Sequence, residues 1–347
     1  MGEFLKHPVT GPSAWTSAEL AADQSWIYPL SADDIAELET AADTVLSRGL
    51  RLYEFGRDDF PLPGMAATLA DIVEQLENGR GCALIRGLDA SRYDEETLKI
   101  IYWGLGLHWG EPVSQNARGQ LIGHVRNQDR DYSSKNVRGY TTNARISPHC
   151  DPVDIVGLLC AHPAKKGGES QITSAMSIYN RLLTQYPEYL EPLIGGFHFD
   201  LRGEGVTDDP DEVTFNKVPV FSYFDGRLSC RFNGKTILDG QAKAGAPLQG
   251  LALDAVNKVT ELAMDPELRL DLAFQEGDIQ ILNNYLILHA RGGFEDHLEP
   301  ERRRNLLRLW INLHHGRKLA PEFANRLNTG PRGGVMIRPD APEGIRP

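Results

Sequence analysis

Long apolar runs are missing from this 347-residue chain, and none approaches the roughly 18 residues that a bilayer-spanning helix needs. A basic excess is missing as well. Thirty-six lysines and arginines face 48 aspartates and glutamates, a formal charge of −12. That balance excludes a surface built for nucleic acid or an anionic membrane, so any anionic ligand needs a local pocket of arginines. Cysteine is scarce. Cys82, Cys150, Cys160 and Cys230 are scattered without CxxC spacing, which fits reduced core thiols better than a disulfide framework or a zinc cluster. Residues 1–30 show no basic segment followed by an apolar core and a small-residue cleavage site, so a cytoplasmic location without a signal peptide is expected. No internal repeat is visible.

What is present changes in texture along the chain. The first third reads as helical. Ser31 can cap a helix through Ile35, Leu38 and Val45, a second runs from Met65 to Leu76, and a third from Tyr93 to Leu105. Between them, Gly81 to Gly87 brackets a short apolar strand. From about Gln115 short strands follow turn residues: Leu121–Val125, Ile155–Ala161, Ser170–Thr173, Val218–Tyr223, Leu228–Arg231, Asp278–Leu282, Leu286–His289 and Asn305–His314. Asp225-Gly226 marks a hairpin. Helices from Ala175 to Tyr186 and Leu253 to Met264 interrupt the strands. The expected fold is mainly β with flanking helices around a double-stranded β-helix, or jelly-roll, core. We read one domain over 1–347: a mainly helical N-terminal extension (1–78), a double-stranded β-helix core with helical insertions (79–316) and a C-terminal tail (317–347). The proline- and glycine-rich stretch from Thr329 to Pro347 reads as an extended surface segment.

The chemistry concentrates in a few residues. In a regular strand His149 and Asp151 point the same way while Cys150 points the other. Asp154 is a competing carboxylate, but its odd spacing from His149 turns it away. His289 closes the apolar run from Ile279 to Leu288, so its imidazole is buried and needs a partner. His297 sits in a polar loop, and His314 and His315 end the last strand. Two histidines and one carboxylate from two strands are the ingredients of a facial triad for non-heme Fe(II). In the last strand Arg302, Arg304, Leu306, Arg308 and Trp310 share one face, and Asn305, Leu307, Leu309 and Ile311 the other. Arg302 and Arg303 fit a solvated loop end. Arg304 and Arg308 sit among apolar neighbours, where a planar guanidinium suits a ligand carboxylate. Gly167-Gly168-Glu169-Ser170 supplies a tight turn followed by a hydroxyl, and Lys165 and Lys166 face solvent.

Taken in order, His-x-Asp, Gly-Gly-Glu-Ser, Gly277-Asp278 followed by Asn283-Asn284 and His289, and Arg304-x-x-x-Arg308 resemble the TauD/TfdA (taurine dioxygenase-like) family of Fe(II)/2-oxoglutarate-dependent dioxygenases. The resemblance covers roughly Gly79 to Gly316. It implies His149, Asp151 and His289 as iron ligands. It implies Ser170, standing where the family usually has threonine, and Arg304 as contacts of 2-oxoglutarate, with Arg308 reaching either the cosubstrate or the substrate. Dioxygen is the second cosubstrate, and succinate and carbon dioxide are released. The implied outcome is hydroxylation of an unactivated C–H bond, with desaturation or ring closure as variants. Halogenation is disfavoured by the carboxylate at 151. Tyr140, Asn143, Arg231 and Arg308 are the candidate substrate contacts, for a small carboxylate, sulfonate or amino acid. Ser114-Gln115-Asn116 resembles the pocket lip, and family members often self-associate. Two rival readings remain at this stage: a cupin-type metal-dependent hydrolase or isomerase, and a non-catalytic acid-binding jelly roll.

Overall fold

The computed structural model describes residues 4–129, 139–207 and 209–339. Two sheets form its centre. The larger runs, in spatial order, β1 (Ile27–Pro29), β2 (Cys82–Arg86), β12 (Ile279–Asn283), β6 (Ile155–His162), β15 (Asn305–Leu313) and β3 (Gly110–Pro112), with β4 (Ile122–Val125) also paired to β15. The smaller runs β11 (Arg269–Leu272), β8 (Ser170–Ser174), β13 (Ile287–Arg291) and β5 (Ile146–His149). A hairpin of β9 (Phe221–Phe224) and β10 (Arg227–Cys230) and a short pair of β7 (Lys166–Gly167) and β14 (Phe294–Glu295) complete the strands. Apart from the parallel β1–β2 pair, every ladder is antiparallel.

The alternation along β15 sorts its side chains between two cores. Leu307, Leu309 and Ile311 join Ile155, Leu159, Ile279 and Ile281 against the N-terminal helices. Leu306, Arg308 and Trp310 face the opposite side, lining a cavity between the sheets. Helices Ala32–Ser47, Ala66–Glu77 and Glu95–Trp109 cover the outer face of the large sheet, burying Leu38, Ile72 and Ile101 there. The expected Ser31 cap is present as a reciprocal box with Asp34. Gly157 in β6 is demanded by packing, since a Cβ there would sit 2.4 Å from the Tyr102 hydroxyl oxygen. Asp225 and Gly226 adopt φ values of 50° and 77°, a turn whose twist suits a tight hairpin.

Three local expectations are corrected. The strand before the first acid ends at His149, so Asp151 lies in irregular backbone rather than two places along a regular strand. Its main-chain N–H donates to Asn284 Oδ1 at 2.8 Å, and this long-range bond supplies the alignment that strand periodicity was expected to give. A helix at Gly234–Lys243, capped by Asn233, replaces a segment that carried no expected element. The segment after Thr329 is irregular but not all surface. Val335 is buried, and its N–H bonds the Ser114 carbonyl. No helix of the described residues is long and apolar enough to cross a membrane.

Candidate metal centre and cosubstrate pocket

β13 and β5 lie antiparallel with His289 directly opposite His149. The register brings the two imidazoles face to tilted face, with ring centroids 4.2 Å apart and planes at 50°. Asp151 completes the group: its Oδ1 is 3.8 Å from His149 Nε2, and its Oδ2 is 3.9 Å from His289 Nε2. One donor atom from each residue lies within 4.8 Å of the other two, and no other such group occurs among the described residues.

Hydrogen bonds fix how these groups point. His149 Nδ1 lies 2.9 Å from the Ser147 carbonyl, which assigns the ring proton to Nδ1 and leaves Nε2 as a free lone pair. The Trp310 indole N–H donates to Asp151 Oδ2 at 2.9 Å. Arg308 Nη1 approaches the same oxygen at 3.8 Å. Burial works against ionising Asp151, but the Arg308 guanidinium foremost outweighs it and holds the carboxyl down to about 2. Burial also lowers both histidines, His289 to about 3 with help from His149 beside it. At neutral pH the trio is therefore two neutral imidazoles and one carboxylate, the protonation states a divalent metal requires. An all-nitrogen-and-oxygen donor set with one open side fits Fe(II).

The cavity beside the trio is about 370 Å³ and is lined by Ser170, Arg304, Leu306, Arg308 and Trp310 among others. Arg304 is 3% exposed. Its guanidinium lies 5.1 Å from the Phe294 ring centroid and donates to the Val125 carbonyl at 3.3 Å. No carboxylate of a described residue is within 4 Å of it, and burial pulls its pKa down to about 10. The Gly167-Gly168 turn explains the close approach of this side chain. Both glycines have φ of 74°, and a Cβ on Gly168 would lie 3.2 Å from Arg304 Nε. Ser170 lines the same wall, its hydroxyl donating to Gln280 Oε1 at 2.7 Å.

Arg308 is braced by one hydrogen bond and two rings. Its Nε donates to Gln115 Oε1 at 2.7 Å, and its guanidinium lies between the rings of Tyr140 (4.8 Å) and Trp310 (4.9 Å). Gln115, expected at the lip, is instead buried beneath the site and returns a bond to the Arg308 carbonyl. Tyr140 and Arg231 line the cavity; Asn143 does not. The correction follows from the tight turn at Gly139–Thr141, which sends Tyr140 inward and leaves Asn143 exposed. Asp154 faces away from the trio as expected and is fully buried, accepting from Tyr285, Arg326 and Arg332. Arg291 and Arg202 are among the cavity residues that escaped the sequence reading. Arg291, two places beyond His289 on the same face of β13, holds the Thr142 carbonyl at 2.8 Å. The same period-two rule could have found it. Arg202 sits in a loop and gave no signal.

The model of the taurine catabolism dioxygenase TauD, TfdA family matches residues 46–310. The chain belongs to this family. Family membership makes it an Fe(II)/2-oxoglutarate-dependent dioxygenase with a jelly-roll core, and the hydrolase and acid-binding readings fall away. FR-33289 synthase of Streptomyces rubellomurinus is 36% identical over 95% of this chain and 96% of its own length. Among solved structures, asparagine oxygenase in complex with Fe(II), 2S,3S-3-hydroxyasparagine and succinate superposes with a TM-score of 0.65 at 13% identity, covering 83% of this chain and 94% of its own. The non-heme iron oxygenase OrfP in complex with Fe and alpha-ketoglutaric acid gives 0.57 at 14% identity, over 82% and 94%. At such identities these two speak for the fold.

Proposed function

We propose that this TauD/TfdA-family dioxygenase hydroxylates a C–H bond of a small acidic molecule, a carboxylate, sulfonate or amino acid. In this reading His149, Asp151 and His289 hold Fe(II), and Arg304 with Ser170 holds 2-oxoglutarate. Desaturation or ring closure would follow from the same abstraction of hydrogen. The observation that carries the reading is the shared cavity: a neutral-neutral-anionic donor trio at one wall and, at another, a buried guanidinium with no carboxylate neighbour among the described residues.

Bound there, iron, 2-oxoglutarate and dioxygen supply the oxidising power for C–H cleavage, with succinate and carbon dioxide as co-products. The chain's own residues bind and orient. Arg304 would hold the far carboxylate of the cosubstrate, in a wall from which apolar Leu306 and Phe294 exclude water. The Ser170 hydroxyl turns from Gln280 toward that carboxylate. Trp310 restrains one oxygen of Asp151 and so would hold the carboxylate in place for the metal. Arg308, clamped by Gln115 and two rings, presents a fixed positive edge between Asp151 and the substrate space, and Tyr140 and Arg231 complete the substrate wall. Four unpaired, buried cysteines suit a cytoplasmic location.

The test is anaerobic reconstitution with Fe(II) followed by succinate measurement across amino acids and small organic acids. The wild type should bind one iron and release succinate with at least one substrate. The His149→Ala/Asp151→Ala variant should lose both. Retention of iron by that variant would move the metal elsewhere.

A further inference from the structure

The cavity holds more positive charge than iron and its cosubstrate use. Six cationic side chains line it against three acidic ones, Asp151, Asp200 and Glu204, in a chain of formal charge −12. A ferrous dication and a 2-oxoglutarate dianion cancel. Asp200 is already paired with Lys243 at 2.8 Å. Lys235 is paired in turn with Asp239 at 2.8 Å, and Arg291 holds the Thr142 carbonyl, which leaves Arg202 and Arg231 as the cavity cations to explain.

Two of the lining arginines, Arg231 and Arg202, touch neither the donor trio nor the Arg304 wall. Arg231 is 7% exposed. One of its terminal nitrogens donates to the Arg326 carbonyl at 2.6 Å, and its guanidinium lies 4.6 Å from the Phe199 ring centroid. Its other terminal nitrogen, Nη1, is buried with no hydrogen-bond partner among the described residues. A buried guanidinium left half-satisfied is costly unless something else completes it. Arg202 stands at the rim. Its φ of 54° is a left-handed conformation that a non-glycine residue adopts at a cost of about 1 kcal/mol. Asp200 Oδ1 accepts from its N–H at 2.7 Å, and Arg338 holds the Gly203 and Thr207 carbonyls on either side of the loop. The side chain so displayed lines the same cavity as Tyr140, Asp200 and Arg308. No carboxylate of a described residue lies within 4 Å of either guanidinium.

We infer that the substrate binds as a polyanion, carrying at least two negative charges, and that Arg202 and Arg231 are the residues that select for it. The inference rests on the dioxygenase reading above and narrows its substrate class. A second carboxylate and a doubly charged tetrahedral oxyanion supply the same chemistry to a guanidinium fork.

The experiment uses the Fe(II)-loaded protein, held anaerobic with saturating 2-oxoglutarate at pH 8 and constant ionic strength. It is titrated calorimetrically with inorganic phosphate, malonate and acetate. At least one dianion should bind about tenfold or more tightly than acetate. Phosphate ahead of malonate identifies a tetrahedral oxyanion, and the reverse a dicarboxylate; either supports the inference. Arg231→Gln and Arg202→Gln should each weaken the preferred dianion about tenfold, and Arg231→Lys should recover part of that loss. Circular dichroism checks that each variant is folded. Equal binding of acetate and both dianions, or unchanged dianion affinity in the two folded glutamine variants, overturns it. A wild type that fails to bind 2-oxoglutarate would sink the dioxygenase reading instead, so the two failures are distinct.

Discussion

Replacing Arg304 by methionine should move two measurements in opposite directions. In the protein without cosubstrate this guanidinium is 3% exposed, has no carboxylate of a described residue within 4 Å, and is drawn from 12.5 to about 10 by burial. Keeping it charged at neutral pH therefore costs the folded state roughly 3 kcal/mol relative to the unfolded chain, at about 1.4 kcal/mol per pH unit. Methionine removes that cost, fills similar volume and sacrifices the contact with Phe294, worth about 1–2 kcal/mol. The cosubstrate-free protein should therefore be as stable as the wild type or more so. Affinity for 2-oxoglutarate should fall instead. A charge-assisted bond of about 1.5–3 kcal/mol corresponds to a loss of roughly 10- to 150-fold. Thermal melts with and without saturating 2-oxoglutarate read both effects in one titration. The wild type should gain about 2.7 kcal/mol at a hundred times its Kd, and the variant only about 0.3–1.4 kcal/mol at the same concentration. A variant that melts early yet binds 2-oxoglutarate normally would make Arg304 a structural residue and refute the reasoning.

Two further outcomes follow from the metal centre. Trp310→Phe deletes the indole bond to Asp151 Oδ2 while keeping an aromatic ring; iron affinity measured with a competing chelator should drop about 10- to 100-fold. The metal-free protein should lose stability as pH falls from 6.5 toward 3. His289 is held near 3 when folded, so the unfolded chain takes up its proton first, and the stability present above 6.5 drains away at up to about 1.4 kcal/mol per unit. Urea unfolding at pH 7 and pH 5 should show a smaller drop for His289→Gln than for the wild type, and equal drops would remove the imidazole from the account.

Much of the core was legible because β15 obeys a period of two. The same alternation that places Leu307, Leu309 and Ile311 on the helices places Leu306, Arg308 and Trp310 in the cavity. The pair His149 and Asp151 was legible for a partly wrong reason. The strand stops at His149, and alignment of the acid comes from Asn284, 133 residues away. The supports of Arg308 were illegible for the same kind of cause: Gln115 reaches it across 193 residues, a pairing that local pattern does not encode. Arg202 depends on a strained loop and Asn143 on where one short turn falls, and neither property is written in residue type alone.

The C-terminal stretch changes how the chain divides its labour. Arg326 and Arg338 lie beyond residue 310, where the family match ends, yet the first steadies Arg231 and the second steadies the loop bearing Arg202. The His149/Asp151/His289 trio is thus strung on and beside the central strands, while the two guanidiniums proposed to select the substrate are tethered from outside them. If Arg202 and Arg231 select the substrate as proposed, redesigning this late stretch should change which molecules are admitted and leave the His149/Asp151/His289 trio in place.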